Sequence, residues 1–345
     1  MAITRDDKIN YANIGLMAVS LLAAWCVPVP LFVYAYAVLG PLHYLTELSW
    51  LHDRKYFTPD KNCRNTLWLL AAVSAVTGVT IASLPALGLA NKNVQWLYQL
   101  SALVTYCALT ISAMSIVDGK KKIAVAFLGL FLLLVAATAM GVQGIFFWMT
   151  LLVTVIHVFV FTWLFMLTGA LRTKSRSGLI ALAVFTACAA LALFSVGGST
   201  PLLRQAVLSA LQTFGRLDQM IATAIGWHQP SQITAVMRFI AFAYTYHYLN
   251  WFSKTQVSQW HKVSPKRAGL IALFYVGSLS LYFVDYSLGF KALLFLSVGH
   301  VFLEFPLDLK VLLSLGEQSG VGRFNFERSV PSLHLLKDFL RVSHS

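Results

Sequence analysis

The sequence predicts an all-α, polytopic integral membrane protein of about ten transmembrane helices. Three observations carry that expectation. Mean hydropathy is +0.71, and 58% of the 345 residues are hydrophobic against 11% charged, where soluble domains carry about a quarter charged residues. No Asp, Glu, Lys or Arg occurs between Lys8 and Glu47, a tract too long for one helix of a soluble domain and long enough for two crossings. The Lys and Arg residues fall in blocks between apolar stretches, as they do in loops on one side of a bilayer. A soluble globule, a disordered chain and a disulfide scaffold are excluded, because the four cysteines (Cys26, Cys63, Cys107, Cys188) follow no framework or metal-finger spacing.

The elements follow in order. The start, residues 1–8, lacks the order of a cleavable signal peptide, so the first apolar stretch is expected to stay in the bilayer as a span. At about 20 apolar residues per crossing, spans fall at 9–27, 30–50, 66–86, 95–117, 123–142, 145–170, 177–197, 233–252, 268–289 and 290–314. Pro28 and Pro30 mark the first turn, Asn91–Asn93 the second outer turn, and Gly141 to Gly144 the third. Residues 198–232 form the longest outer connection. Its Leu202, Leu203, Val207, Leu208, Leu211 and Phe214 recur at helical spacing among polar residues, so it is expected to lie in the outer interface. One integral membrane domain covers 1–345, ending in a basic cytoplasmic tail at 315–345.

With an inside N-terminus, the cytoplasmic regions hold Arg5 and Lys8; Arg54, Lys55, Lys61 and Arg64; Lys120 to Lys122; Arg172, Lys174 and Arg176; Lys254, Lys262, Lys266 and Arg267; and Arg323, Arg328, Lys337 and Arg341. The outer loops hold only Lys92, Arg204, Arg216 and Lys291. This asymmetry predicts both termini inside and explains the net charge of +13 through topology and contact with anionic lipid. Nucleic acid is not an expected partner. The bacterial cytoplasmic membrane is the expected location.

Ionisable groups at membrane depth are costly and point to function. Here they are His43 and Glu47 in the second span, His157 in the sixth, Arg238 and His247 in the eighth, Asp285 in the ninth, and His300 and Glu304 in the tenth. His43, His157, His247 and His300 are the fourteenth, thirteenth, fifteenth and eleventh residues from the outer ends of their spans, a spread of about 6 Å in depth. Four imidazoles at one depth suit a transition-metal site, because neutral histidine binds iron, copper or zinc without bringing charge into the bilayer. A proton or ion pathway and simple polar pairing are the other readings. The His43-x3-Glu47 and His300-x3-Glu304 spacings place each carboxylate on the same helix face as its histidine, as ligand or as a group that orients the imidazole. Arg238 and Asp285 lie near the outer surface and are expected to form a structural ion pair. Tyr244, Tyr246, Asn250 and Trp251 surround His247 in sequence and are candidates for contact with an isoprenoid or acyl chain.

The segments Gly40-Pro41-Leu42-His43 with Glu47, Val155-Ile156-His157, Phe242-Ala243-Tyr244-Thr245-Tyr246-His247, and Ser297-Val298-Gly299-His300 with Glu304 resemble the Brp/Blh family of beta-carotene dioxygenases. The resemblance covers about a tenth of the chain. It implies a mononuclear non-haem Fe(II) at His43, His157 and His247, with His300 as fourth ligand or near neighbour. Where that family usually carries a second histidine this chain has Trp251, and where it carries an acidic residue after the second segment this chain has Phe161 and Thr162. Together these readings predict a membrane-embedded oxygenase, using Fe(II) or another transition metal, that acts with dioxygen on a lipophilic substrate from the bilayer. The alternatives are a proton-coupled transporter and a haem-binding electron carrier.

Reporter fusions test the topology: residues 92 and 143 should report outside, and residues 60, 121 and 174 inside. Residue 121 found outside would overturn the depth argument.

Overall fold

The computed structural model describes residues 4–84, 87–88, 94–194, 205–254 and 259–318. Every regular element among them is helical: α1 (Arg5–Cys26), α2 (Pro28–Asp53), α3 (Lys61–Ser83), α4 (Gln95–Ser115), α5 (Lys121–Leu151), a π-helical stretch (Leu152–Phe161), α6 (Thr162–Thr173), α7 (Arg176–Phe194), α8 (Gln205–Thr213), α9 (Leu217–Ala224), α10 (Pro230–Ser253), α11 (Pro265–Val284) and α12 (Tyr286–Gln318), with one 3-10 turn at Lys55–Phe57. Nine helices among the described residues are long and apolar enough to cross a membrane, as in a multi-pass membrane protein. Exposed side chains agree: the stretch Lys121–Gly141 is only 6% buried, and Phe127, Phe131, Phe274 and Phe283 stand fully or largely exposed, an arrangement suited to lipid and not to water.

The chain divides into two compact units. One comprises the described residues up to Thr46 with Val158–Phe290; the other comprises Glu47–His157 and the described residues from Lys291. In the first unit, α1 starts with a capping box between Thr4 and Asp7, and Ser177 donates to Asp7 at 2.5 Å, which ties α7 to α1. α1, α7 and α10 pack on one another through small buried residues, among them Ala24, Ala181, Ala192 and Ala241, which let helix backbones approach closely. α10 is the one expected span too polar to count as a crossing by composition. Its residues from Ala235 to Tyr248 are buried except Phe239, so it packs against other helices and not lipid over that stretch. The expected interfacial segment forms two short helices, α8 and α9, with residues 198–204 outside the described residues. Leu211 is buried, and the Phe214 ring lies 4.7 Å from both Phe32 and Tyr36, which holds the end of α8 on α2.

In the second unit α4 packs on both α3 and α5. Gly78 of α3 lies so near Leu294 that a Cβ would come within 2.7 Å of it, and Gly299 lies under the Trp68 ring. Lys310 is buried and donates to the Phe57 carbonyl at 2.6 Å, fastening α12 to the turn between α2 and α3.

Two boundaries bear on the expectations. Gly141, with φ 65 and ψ −179, interrupts α5 where a turn was expected, and the expected turn at Asn91–Asn93 lies outside the described residues. The ninth and tenth spans part at Asp285, five residues before the expected junction. There the backbone is extended, and Asp285 Oδ1 accepts the Leu288 amide at 2.6 Å as the cap of α12. Residues on both sides are apolar, so hydropathy alone could not locate the break. The tail from residue 319 lies outside the described residues.

The α11–α12 hairpin depends on Gly289, where a Cβ would meet the Tyr282 ring at 2.7 Å and its backbone nitrogen at 2.9 Å. Gly289→Ala should destabilise the protein by about 1–3 kcal/mol, read as a lower thermal midpoint in detergent. Gly277→Ala, on α11 with nothing within 4 Å of its Cβ, should leave the midpoint unchanged or raise it.

Candidate functional site

The two units each bring together part of the polar set. In the first unit, α2 and α10 place His43 and His247 face to face, with Nε2 to Nε2 at 3.1 Å and the rings at 74°. Exposure is 1% for His43 and 9% for His247. Thr162, the first residue of α6, stands 2.9 Å from His247 Nδ1 through its Oγ1. With Nδ1 protonated and donating to Thr162, His247 turns an Nε2 lone pair towards His43. The His43 ring is walled by Tyr248 at 5.1 Å and Trp251 at 5.7 Å. Trp251 donates to Thr46 Oγ1 at 2.9 Å, so the indole is fixed by the helix that carries His43. Gly40 makes room for this wall, since a Cβ there would lie 3.3 Å from the Tyr248 hydroxyl.

In the second unit, His157 sits in the π-helical stretch, with Nδ1 3.5 Å from Glu304 Oε2 and its ring 5.3 Å from that of His300. The Glu47 and Glu304 carboxyls are close neighbours. One turn beyond Glu304 on α12 lies Asp308, 0% exposed, with neither carboxylate oxygen hydrogen-bonded. His157, Glu304 and Asp308 each offer one atom within 4.8 Å of the others, a grouping able to hold a metal ion.

Asp308 and Thr162 are the residues that sequence reasoning missed. Asp308 continues the four-residue spacing of His300 and Glu304 and was legible by the same rule. Thr162 carries no sequence signal of its own, since its role comes from the approach of α6 to α10.

Other expected contacts differ. Asp285 caps α12, and Arg238 is buried with its guanidinium 4.8 Å from the centre of the Trp25 ring. Of the four aromatic and amide candidates, Trp251 packs edge-on to the His43 ring. Tyr244 packs on Phe32 at 5.1 Å. Tyr246 and Asn250 turn towards α1, where the Tyr246 hydroxyl lies 3.2 Å from Asn13 Oδ1 and 3.4 Å from Asn250 Oδ1, and Ser253 donates to the same Asn13 oxygen at 2.9 Å. That knot serves helix packing, the reason these polar residues can lie inside α10.

Two imidazole nitrogens 3.1 Å apart have the separation of neighbouring ligands that each lie about 2.1 Å from one ion. Nitrogen donors of this kind fit iron, zinc or copper. Compared with known protein families, curated proteins and solved structures, the chain matches none of them.

Proposed function

We propose that this protein is an integral-membrane, iron-dependent oxygenase that acts with dioxygen on a lipophilic substrate, carotenoid cleavage or a related isoprenoid or lipid oxidation. The observation that carries the reading is the buried His43–His247 pair, Nε2 to Nε2 at 3.1 Å. His43 and His247 are its ligands within the first unit. When bound, iron(II) supplies the one-electron chemistry with dioxygen that side chains lack. The chain's own residues do the rest. Thr162 orients His247, Glu304 orients His157, and Tyr248 and Trp251 exclude water from the face of His43. An apolar cleft of about 860 Å³ in the first unit, lined by Val33, Tyr34, Ala37, Ala210, Tyr282 and Phe283, has the size and surface for a lipid chain. Its α2 wall, Val33, Tyr34, Ala37 and Val38, precedes His43 on the same helix. Ten crossings with both termini in the cytoplasm of a bacterium, and basic loops on anionic lipid, complete the proposal.

A second reading, a proton-coupled transporter, is favoured by the neighbouring Glu47 and Glu304 carboxyls, since paired acidic groups inside a membrane mark proton relays.

Metal analysis of the detergent-purified chain separates the two. The oxygenase reading expects at least one equivalent of iron, lost in His43→Ala and in His247→Ala while both variants remain monodisperse. Thr162→Val should retain the metal about 10- to 100-fold less tightly. A metal-free wild type, or full metal in both histidine variants, would contradict the oxygenase and favour the transporter.

A further inference from the structure

Asp308 poses a problem that the histidine centre does not solve. Its side chain is 0% exposed, and both carboxylate oxygens lack a hydrogen bond. An ionised carboxylate left so in an apolar interior costs far more than a lost hydrogen bond, and a protonated one still wastes an O–H donor. The nearest cation in sequence, Lys310, is two residues on and therefore roughly 200° around the helix, where it donates to the Phe57 carbonyl. The groups that do converge on Asp308 are Glu304 and His157, each with a ligand atom within 4.8 Å of the others.

We infer that His157, Glu304 and Asp308 form a second cation site, for a divalent ion of the manganese or iron(II) type, within the second unit. The donor set is one imidazole nitrogen and two carboxylate oxygens, which suits borderline to hard divalent ions. Ligand atoms 2.0 to 2.2 Å from one ion stand roughly 3 to 4.4 Å apart, close to the spread observed. Charge supports the same assignment: with the neighbouring Glu47 protonated, two carboxylates and a neutral imidazole around a dication sum to zero, the arrangement that a low-dielectric surrounding tolerates best. The backbone is adapted to it. His157 lies in a π-helical stretch, a form that recurs at functional sites, and Pro306 sits between Glu304 and Asp308 inside α12. The inference rests on the metalloprotein reading and deepens it, because it gives His157, through the Nδ1 that faces Glu304, an ion of its own within the second unit.

The test is a titration of the metal-stripped full chain in detergent with Mn(II), counting free ion by its electron paramagnetic resonance signal. The wild type and the double variant His43→Ala/His247→Ala should both bind Mn(II) at this site, since neither histidine belongs to it. Asp308→Asn should weaken that binding about 10- to 100-fold, and Asp308→Glu should restore it, which guards against a fault of folding. Equal Mn(II) binding by the wild type and Asp308→Asn, or Mn(II) binding that vanishes in the double variant, would overturn the second site while leaving the histidine centre to its own iron analysis.

Discussion

The rest of the structure depends on one constraint: polar side chains inside an apolar helical protein must find partners or carry a cost that folding cannot easily absorb. α10 shows the constraint met by protein alone. Tyr246 and Ser253 share Asn13 of α1, with Asn250 beside the Tyr246 hydroxyl, and small residues on α1 and α7 bring the helices near enough for that. His43 and His247 meet it in another way. Two basic nitrogens 3.1 Å apart satisfy each other only when one carries a proton for its neighbour, whereas one cation satisfies both at once.

The backbone around the ionisable residues is irregular. Pro41 stands two residues before His43 in α2, His157 lies in the π-helical stretch, and Pro306 separates Glu304 from Asp308. Neither proline has an N–H to give the carbonyl four residues back. Such departures are tolerated at membrane depth where the freed groups are buried in protein, and all three occur in elements that carry candidate ligands. α5, which carries no ionisable residue between Lys122 and its end, is interrupted only by Gly141. Irregularity and polar chemistry therefore coincide in α2, the π-helical stretch and α12, and the regular stretches face the surroundings with Phe and Leu.

Much of this was legible in the sequence. Helical class, the apolar spans and the turn at Gly141 follow from hydropathy and from glycine, because lipid exposure selects apolar residues at nearly every position of a stretch such as Lys121–Gly141. The pairing of His43 with His247 also agrees with counting depth along two helices. The break at Asp285 was hidden, because it depends on one capping hydrogen bond within a continuous apolar run. The contact of Thr162 with His247 was hidden for a different reason: it is set by which faces of α6 and α10 meet, and no local periodicity encodes that. Asp308 was visible and passed over, although it continues the stripe of His300 and Glu304.

The central claim is that histidines of this membrane protein hold a non-haem transition metal. X-ray absorption at the iron edge of the purified, iron-loaded protein tests it most directly. The account predicts nitrogen and oxygen scatterers at about 2.1 Å, with the outer-shell scattering of at least two imidazole rings and no porphyrin pattern. A spectrum of iron with only oxygen neighbours, or one dominated by sulfur or by a porphyrin, would contradict it.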